Sequence, residues 1–155
     1  QAPGPLEALL SRVDARREAL RERHGRHVAL ALKIAPELDA AAVRALADAA
    51  RRTRIDAIIA TNTTVSREGV RGLPYGEEPG GLSGGPLTAP STAAIRALAG
   101  ELEGEIPIIG CGGILTGAHA REKFEAGASL VQIYTGLIYR GPRLIRECVS
   151  AYRAK

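Results

Sequence analysis

The sequence predicts an α/β protein built on a parallel sheet, and two observations point there. Four apolar runs, His27–Ile34 (HVALALKI), Ile55–Thr61 (IDAIIAT), Ile106–Gly110 (IPIIG) and Ser129–Thr135 (SLVQIYT), are nearly continuous and do not alternate with polar residues. Strands of that kind are buried on both faces, as in parallel sheets covered by helices. Between the runs lie segments with helical spacing and helical start signals. The order is therefore α-β-α-β-α-β-α-β-α, made of right-handed crossover units.

The first helix is expected over Pro5 to His24, with Leu6, Leu9, Leu10, Val13, Arg17 and Leu20 near helical spacing and Gly25 placed to end it. Its arginines are interleaved with Asp14, Glu18 and Glu22, which predicts an ion-paired, solvated face. Asp39 caps a second helix that turns Val43, Leu46, Ala47 and Ala50 inward. Ser91, after Pro90, starts a third, with Ile95, Leu98, Ala99 and Leu102 inward. Thr116 precedes the fourth, Gly117–Ala126, which Gly127 stops, and Pro142 opens a last helix whose Leu144, Ile145, Cys148, Val149 and Tyr152 share a face.

With 155 residues, the chain has the length of one domain and enough apolar content to form a core. A composition of 45% hydrophobic and 25% charged residues excludes a collagen-like or disordered chain. The net charge of +4 is mild, and with aromatics at only 3% the sequence lacks a base-stacking surface, so no nucleic-acid partner is expected. Cys111 and Cys148 form no C-x-x-C pair, which suits a reducing compartment, and the three histidines lack ligand spacing, so no metal is expected. No apolar run is long enough to span a membrane, so the chain is expected to be soluble by itself. It contains no Met and begins at Gln1, from which it is expected not to start where its gene starts.

Polar and glycine-rich residues gather just after each strand: Lys33, then Thr61-Asn62-Thr63-Thr64, then Gly110-Cys111-Gly112-Gly113, then Tyr134-Thr135-Gly136. Open doubly wound sheets and (β/α)8 barrels both place their sites at that edge. The barrel is favoured because the last two strands each run into a Gly-bearing turn and a helix, the pattern of a barrel phosphate site. Glycines there let backbone N–H groups approach an anion, although a tight turn alone also calls for them. Cys111 reads as a reactive thiol or as a small buried filler. Lys33 reads as a strand-end lysine or as a fixed charge for an anionic cofactor. Asn62 carries both donor and acceptor, which suits a planar ring with C=O and N–H groups. The Gly- and Pro-rich stretch from Val65 to Pro90, with Gly80-Gly81-Leu82-Ser83-Gly84 inside it, has the length of a binding loop or lid.

The runs LALKIAPELD, IDAIIATNTTVSR, GGLSGGPL, IPIIGCGGI and GASLVQIYTGLIYRGP, in that order, resemble the C-terminal half of the class 2 dihydroorotate dehydrogenases, the membrane-associated, quinone-dependent class. TNTT and LVQIYT fit that class better than the soluble class 1 enzymes, which share GGLSG and IPIIG-x-GG. The resemblance covers essentially all of residues 1–155. It implies a (β/α)8 barrel with FMN at its C-terminal mouth, residues 1–26 being a helical lead-in and 27–155 strands five to eight with their helices. It implies oxidation of dihydroorotate to orotate in pyrimidine (UMP) biosynthesis, with a quinone taking the electrons, on the cytoplasmic side of the membrane.

On these residues the resemblance implies FMN contacts from Lys33, Thr61, Gly84, Gly113, Tyr134 and Thr135, the last three around the phosphate. Asn62 and Thr63 would hydrogen-bond the substrate ring. The family's catalytic serine lies in an Asn-x-Ser-Ser-Pro-Asn motif that this chain lacks; it is expected upstream of Gln1, and neither Ser66 nor Ser83 replaces it. The quinone site and the N-terminal half of the barrel are expected to lie mostly outside the chain, which alone should not turn over. Two other readings stay open. One is a non-catalytic half-barrel that associates through open edges at Val28–Lys33 and Leu130–Tyr134. The other is a different FMN- or phosphate-binding barrel enzyme, which explains the last two motifs but not TNTT with GGLSG.

Overall fold

A computed structural model describes residues 4–154. Four parallel strands, β1 (Ala31–Ile34), β2 (Ala57–Ala60), β3 (Ile108–Cys111) and β4 (Leu130–Gln132), lie in the order β1-β2-β3-β4. Each pairs with its neighbour in sequence, with Lys33 opposite Ile59, Ile59 opposite Ile109 and Cys111 opposite Gln132. A doubly wound sheet reverses its strand order at a switch point, and this one does not. Right-handed crossovers that always step the same way put every helix on one face. The helices are α1 (Pro5–His24), α2 (Ala40–Arg52), α3 (Thr88–Leu102), α4 (Gly117–Glu125), α5 (Thr135–Arg140) and α6 (Arg143–Arg153). They form that single layer, α1 against α2, α2 against α3, α3 against α4, and α4 against α6.

Burial follows the pleat. Ile34, Ile58, Ala60 and Ile108 point to the helices and are buried with Val43, Leu46, Ile95, Leu98, Phe124 and Leu144. The alternate residues are less covered: Ile59 and Ile109 are half-buried, while Ala31, Lys33 and Leu130 are exposed. The continuous apolar runs predict burial on both faces; here the helix face is fully buried, while the other face is mostly half-buried or exposed, with Cys111 the buried exception. A second covered face needs a further layer, and none of the described residues supplies one.

The expected helix signals act as predicted at several ends. Gly25 adopts φ +65° and returns its N–H to Arg21 O; the Asp39 carboxylate accepts from Ala42 N–H at 2.7 Å; Thr116 Oγ1 accepts from His119 N–H at 3.2 Å. Other boundaries differ. Helix α3 begins at Thr88, not Ser91, because a 3-10 turn at Gly85–Leu87 leads straight into it. Pro90 is tolerated in the first turn, where backbone N–H groups have no helical acceptor anyway. All four strands are shorter than their apolar runs, and the last ends at Gln132, so Thr135 belongs to α5, a six-residue helix that the sequence reading did not resolve.

Helix α1 is attached mainly by charge. Of its apolar residues only Leu10 is buried. Arg17 donates to Asp14 (2.6 Å) and to Asp56 (2.5 Å), Arg54 pairs with Asp14, and Arg52 forms a forked pair with Glu7. Asp56 also accepts Leu30 N–H at 2.7 Å and faces His27 at 3.3 Å. The Leu30 N–H, then His27 and Arg17, hold its carboxyl below the usual carboxylate range despite partial desolvation. A carboxyl depressed by folding stabilises the fold above its unfolded pKa, and that contribution is lost as pH falls through the folded value. Asp56→Asn is therefore expected to cost about 1 kcal/mol at neutral pH, given the group's partial exposure. Urea melts should show the deficit shrinking below about pH 4, and an equal deficit at both pH values would refute the assignment.

Candidate functional site

The C-terminal ends of the four strands open on one cleft of about 110 Å³. All eight residues singled out in the sequence line it: Lys33 near the end of β1, Thr61, Asn62 and Thr63 after β2, Gly84 before α3, Gly113 after β3, and Tyr134 and Thr135 after β4. They are brought together although up to 102 residues separate them in sequence, because parallel strands all end on the same edge. Larger hollows lie elsewhere, beside α1 on both its sides and between β4 and α6, but none of them gathers the C-terminal ends of all four strands.

The segment after β2 is fixed by its neighbours on both sides. Thr61 N–H donates to Cys111 O at 2.5 Å and Asn62 N–H to Ile34 O at 2.6 Å, extending the ladder beyond the strand. Thr61 is buried and Asn62 exposed. The expected long loop is closed at its base by a bridge between Thr64 and Leu82, and Glu37 accepts from Thr64 Oγ1 and from Val65 N–H. Arg67 Nη2 donates to Glu78 O (2.9 Å) and Gly80 O (2.5 Å), drawing the loop's far limb inward. A Cβ on Gly81 would lie 1.9 Å from Thr63 Oγ1, so only glycine lets this limb lie on the Asn62–Thr63 segment.

After β3, Gly113 has φ +68°, and a Cβ there would come within 2.3 Å of Thr88 N. Thr88 Oγ1 donates to Gly113 O at 2.8 Å and Ser91 Oγ to Gly112 O at 2.9 Å. Across the cleft, Thr135 Oγ1 donates to Ser83 Oγ at 3.0 Å. Cys111 is buried, and desolvation pushes its thiol up against the opposing pull of Lys33 and Lys123. The filler reading of Cys111 is therefore favoured over a reactive thiolate. The lining also includes Ser83, from the glycine-rich loop, and Gln132 and Ile114, for which the sequence predicts no role. Gln132 had a legible signal, as the one amide inside an apolar strand.

The lining contains a cation, hydroxyls, amides and backbone N–H groups but no Asp or Glu. Gly113 and Ile114 are buried, and among the described residues neither backbone N–H meets a protein acceptor. Orphan donors of this kind are rare in folded proteins unless a ligand or water completes them. Chemically, the cleft is arranged to receive an anion together with a polar ring.

Known proteins resemble the chain over nearly all of its length. Residues 4–152 match the family described as dihydroorotate dehydrogenase. The chain is 57% identical over 151 residues to the dihydroorotate dehydrogenase (quinone) of Aromatoleum aromaticum, covering 97% of this chain and 43% of that protein. It is 55% identical over 153 residues to the enzyme of the same name from Cupriavidus taiwanensis, covering 99% and 44%. Among solved structures, DHODH from Eimeria tenella in complex with ferulenol superposes with a TM-score of 0.85 at 36% identity, over 94% of this chain and 42% of that one. The chain thus spans less than half the length of these relatives. The expected fold, four parallel strands of a (β/α)8 barrel with their helices, is the one these neighbours share. By sequence and by fold, this chain belongs to the dihydroorotate dehydrogenase family.

Proposed function

We propose that this chain supplies part of the active site of a quinone-dependent dihydroorotate dehydrogenase, which oxidises dihydroorotate to orotate in pyrimidine (UMP) biosynthesis. The observation behind this is the carboxylate-free, donor-rich cleft with two orphan N–H groups on the Gly113–Ile114 loop. FMN fits these residues: its phosphate needs backbone and hydroxyl donors and no competing carboxylate. FMN, when bound, supplies the acceptor for the hydride leaving dihydroorotate.

In this reading Lys33, Thr61, Gly84, Gly113, Tyr134 and Thr135 hold FMN, the last three at its phosphate. Lys33 would place a positive charge beside its ring system. Asn62 and Thr63 orient the substrate ring, the Asn62 amide offering both donor and acceptor. We assign no side chain of the cleft as the catalytic base: its lining has no Asp, Glu or His, and Ser83 has no partner in the cleft suited to take its proton. That base, most of the quinone site and the strands that pair with the open edges of β1 and β4 belong to the rest of the relatives' length. Among the described residues no helix is long and apolar enough to cross a membrane. In the family reading, contact with a membrane-borne quinone is peripheral, at the cytoplasmic face.

The 155-residue chain alone is expected to show no dihydroorotate oxidation with a soluble quinone, and measurable turnover would overturn the division of labour. Lys33 and Asn62 are exposed, so their variants should keep the fold. Lys33→Met should weaken FMN binding about tenfold in a fluorescence titration. Asn62→Ala should leave FMN binding unchanged and weaken orotate about tenfold; unchanged orotate affinity would remove Asn62 from the substrate site. Because β1 and β4 leave ladder groups unpaired beside exposed Val28 and Leu130, light scattering should find species heavier than 16.3 kDa as concentration rises. A monodisperse monomer would argue against the open-edge reading.

A further inference from the structure

Lys123 on α4 lies outside the cleft, yet it is the largest fully buried side chain, with no exposed surface. Its ammonium finds one acceptor for each N–H: Thr88 O at 2.7 Å, Ser91 Oγ at 2.7 Å and Thr92 Oγ1 at 2.5 Å. All three belong to the start of α3. Burying an ammonium costs far more than burying an alkyl chain of similar volume, so space-filling does not account for a lysine here.

The same residues hold the loop after β3. An ammonium only donates, so Ser91 and Thr92 must accept from it, which directs the single Ser91 proton toward the carbonyls of Leu87 (2.6 Å) and Gly112 (2.9 Å). Thr88 Oγ1 holds Gly113 O. In a trans peptide the C=O and the following N–H point in opposite directions. Drawing the Gly112 and Gly113 carbonyls toward α3 therefore turns the Gly113 and Ile114 N–H groups the other way, away from α3.

We propose that Lys123 is a positioning residue for the anion loop: through Ser91 and Thr88 it sets the Gly112–Gly113 carbonyls so that the Gly113 and Ile114 N–H groups stay available to a ligand's phosphate. This rests on the reading of the cleft as a phosphate site. Burial also pushes Lys123 down to about 8, against upward pulls from Glu122 on its own helix and Cys111 on β3; the α3 side presents only two hydroxyls and a carbonyl. A neutral amine has two N–H groups for three acceptors, so the backing loosens as pH rises through that value.

The test titrates inorganic phosphate into the isotope-labelled full chain and follows the Gly113 and Ile114 amide resonances at about pH 7 and about pH 9. In the unaltered chain both amides should shift, with weaker binding at the higher pH. Lys123→Met should bind about tenfold more weakly and lose the pH dependence. Ser91→Ala, which keeps the charge but cuts the link to Gly112, should fall between. Phosphate affinity unchanged in both variants would overturn the proposal while leaving the anion site standing. If Lys123→Met does not fold, Ser91→Ala and the pH profile of the unaltered chain decide, and no effect in either overturns it. No shift at either amide in the unaltered chain would mean that the phosphate-site reading itself fails, and this proposal with it.

Discussion

A parallel sheet wound in one direction has one covered face and one open face, and the rest of this molecule depends on that asymmetry. Because the strand order never reverses, every crossover helix falls on the same side. The apolar set Ile34, Ile58, Ala60 and Ile108 goes to the helices. Lys33, Cys111 and Gln132, one residue out of phase, go to the opposite face and reach the cleft. A slip of one residue in β1 would send Lys33 into the core and Ile34 into the cleft. The same register therefore decides both what is packed and what is available for chemistry.

Few charged side chains reach the cleft; most of its polarity is backbone, hydroxyl and amide. Such a surface works only if peptide groups are held in place, and the holding is done from behind. Thr88 and Ser91 grip the loop after β3, Glu37 and the Thr64–Leu82 bridge grip the loop after β2, and Thr135 meets Ser83 across the gap. Glycine is needed where two of these segments approach too closely for a Cβ, at Gly81 against Thr63 and at Gly113 against Thr88. The precision of the donors comes from helix α3 and the loop before it more than from the strands.

The parts of the site that were legible in the sequence are those that follow an apolar run at once. A polar residue at or just past the end of an apolar strand has one place to go, which makes Lys33, Thr61, Asn62 and Gly113 legible. Residues acting from behind the cleft left a different trace. Lys123 sits in REK on a short helix, and a lysine at helical spacing reads as solvated; only the fold shows it buried under α3. Pro90 before Ser91 reads as a helix start at Ser91, whereas the preceding 3-10 turn, a product of loop packing, moves the start three residues earlier. The expectation of two buried strand faces failed because hydrophobicity states what a strand can tolerate, not how many layers a given stretch of chain can provide.

Helix α1 stands apart from this packing. With only Leu10 buried and with Leu9, Val13 and Leu20 in the open, it is moored by the largely covered Arg17 and by Arg52 and Arg54, whose ion pairs water reaches. Such pairs are screened over about 10 Å at 0.1 M salt and about 3 Å at 1 M. The core beneath α2, α3 and α4 is insensitive to that change, since its stability is a matter of apolar area. Ionic strength thus divides the chain into two parts, a body whose cohesion the solvent hardly touches and a leading helix whose attachment the solvent sets.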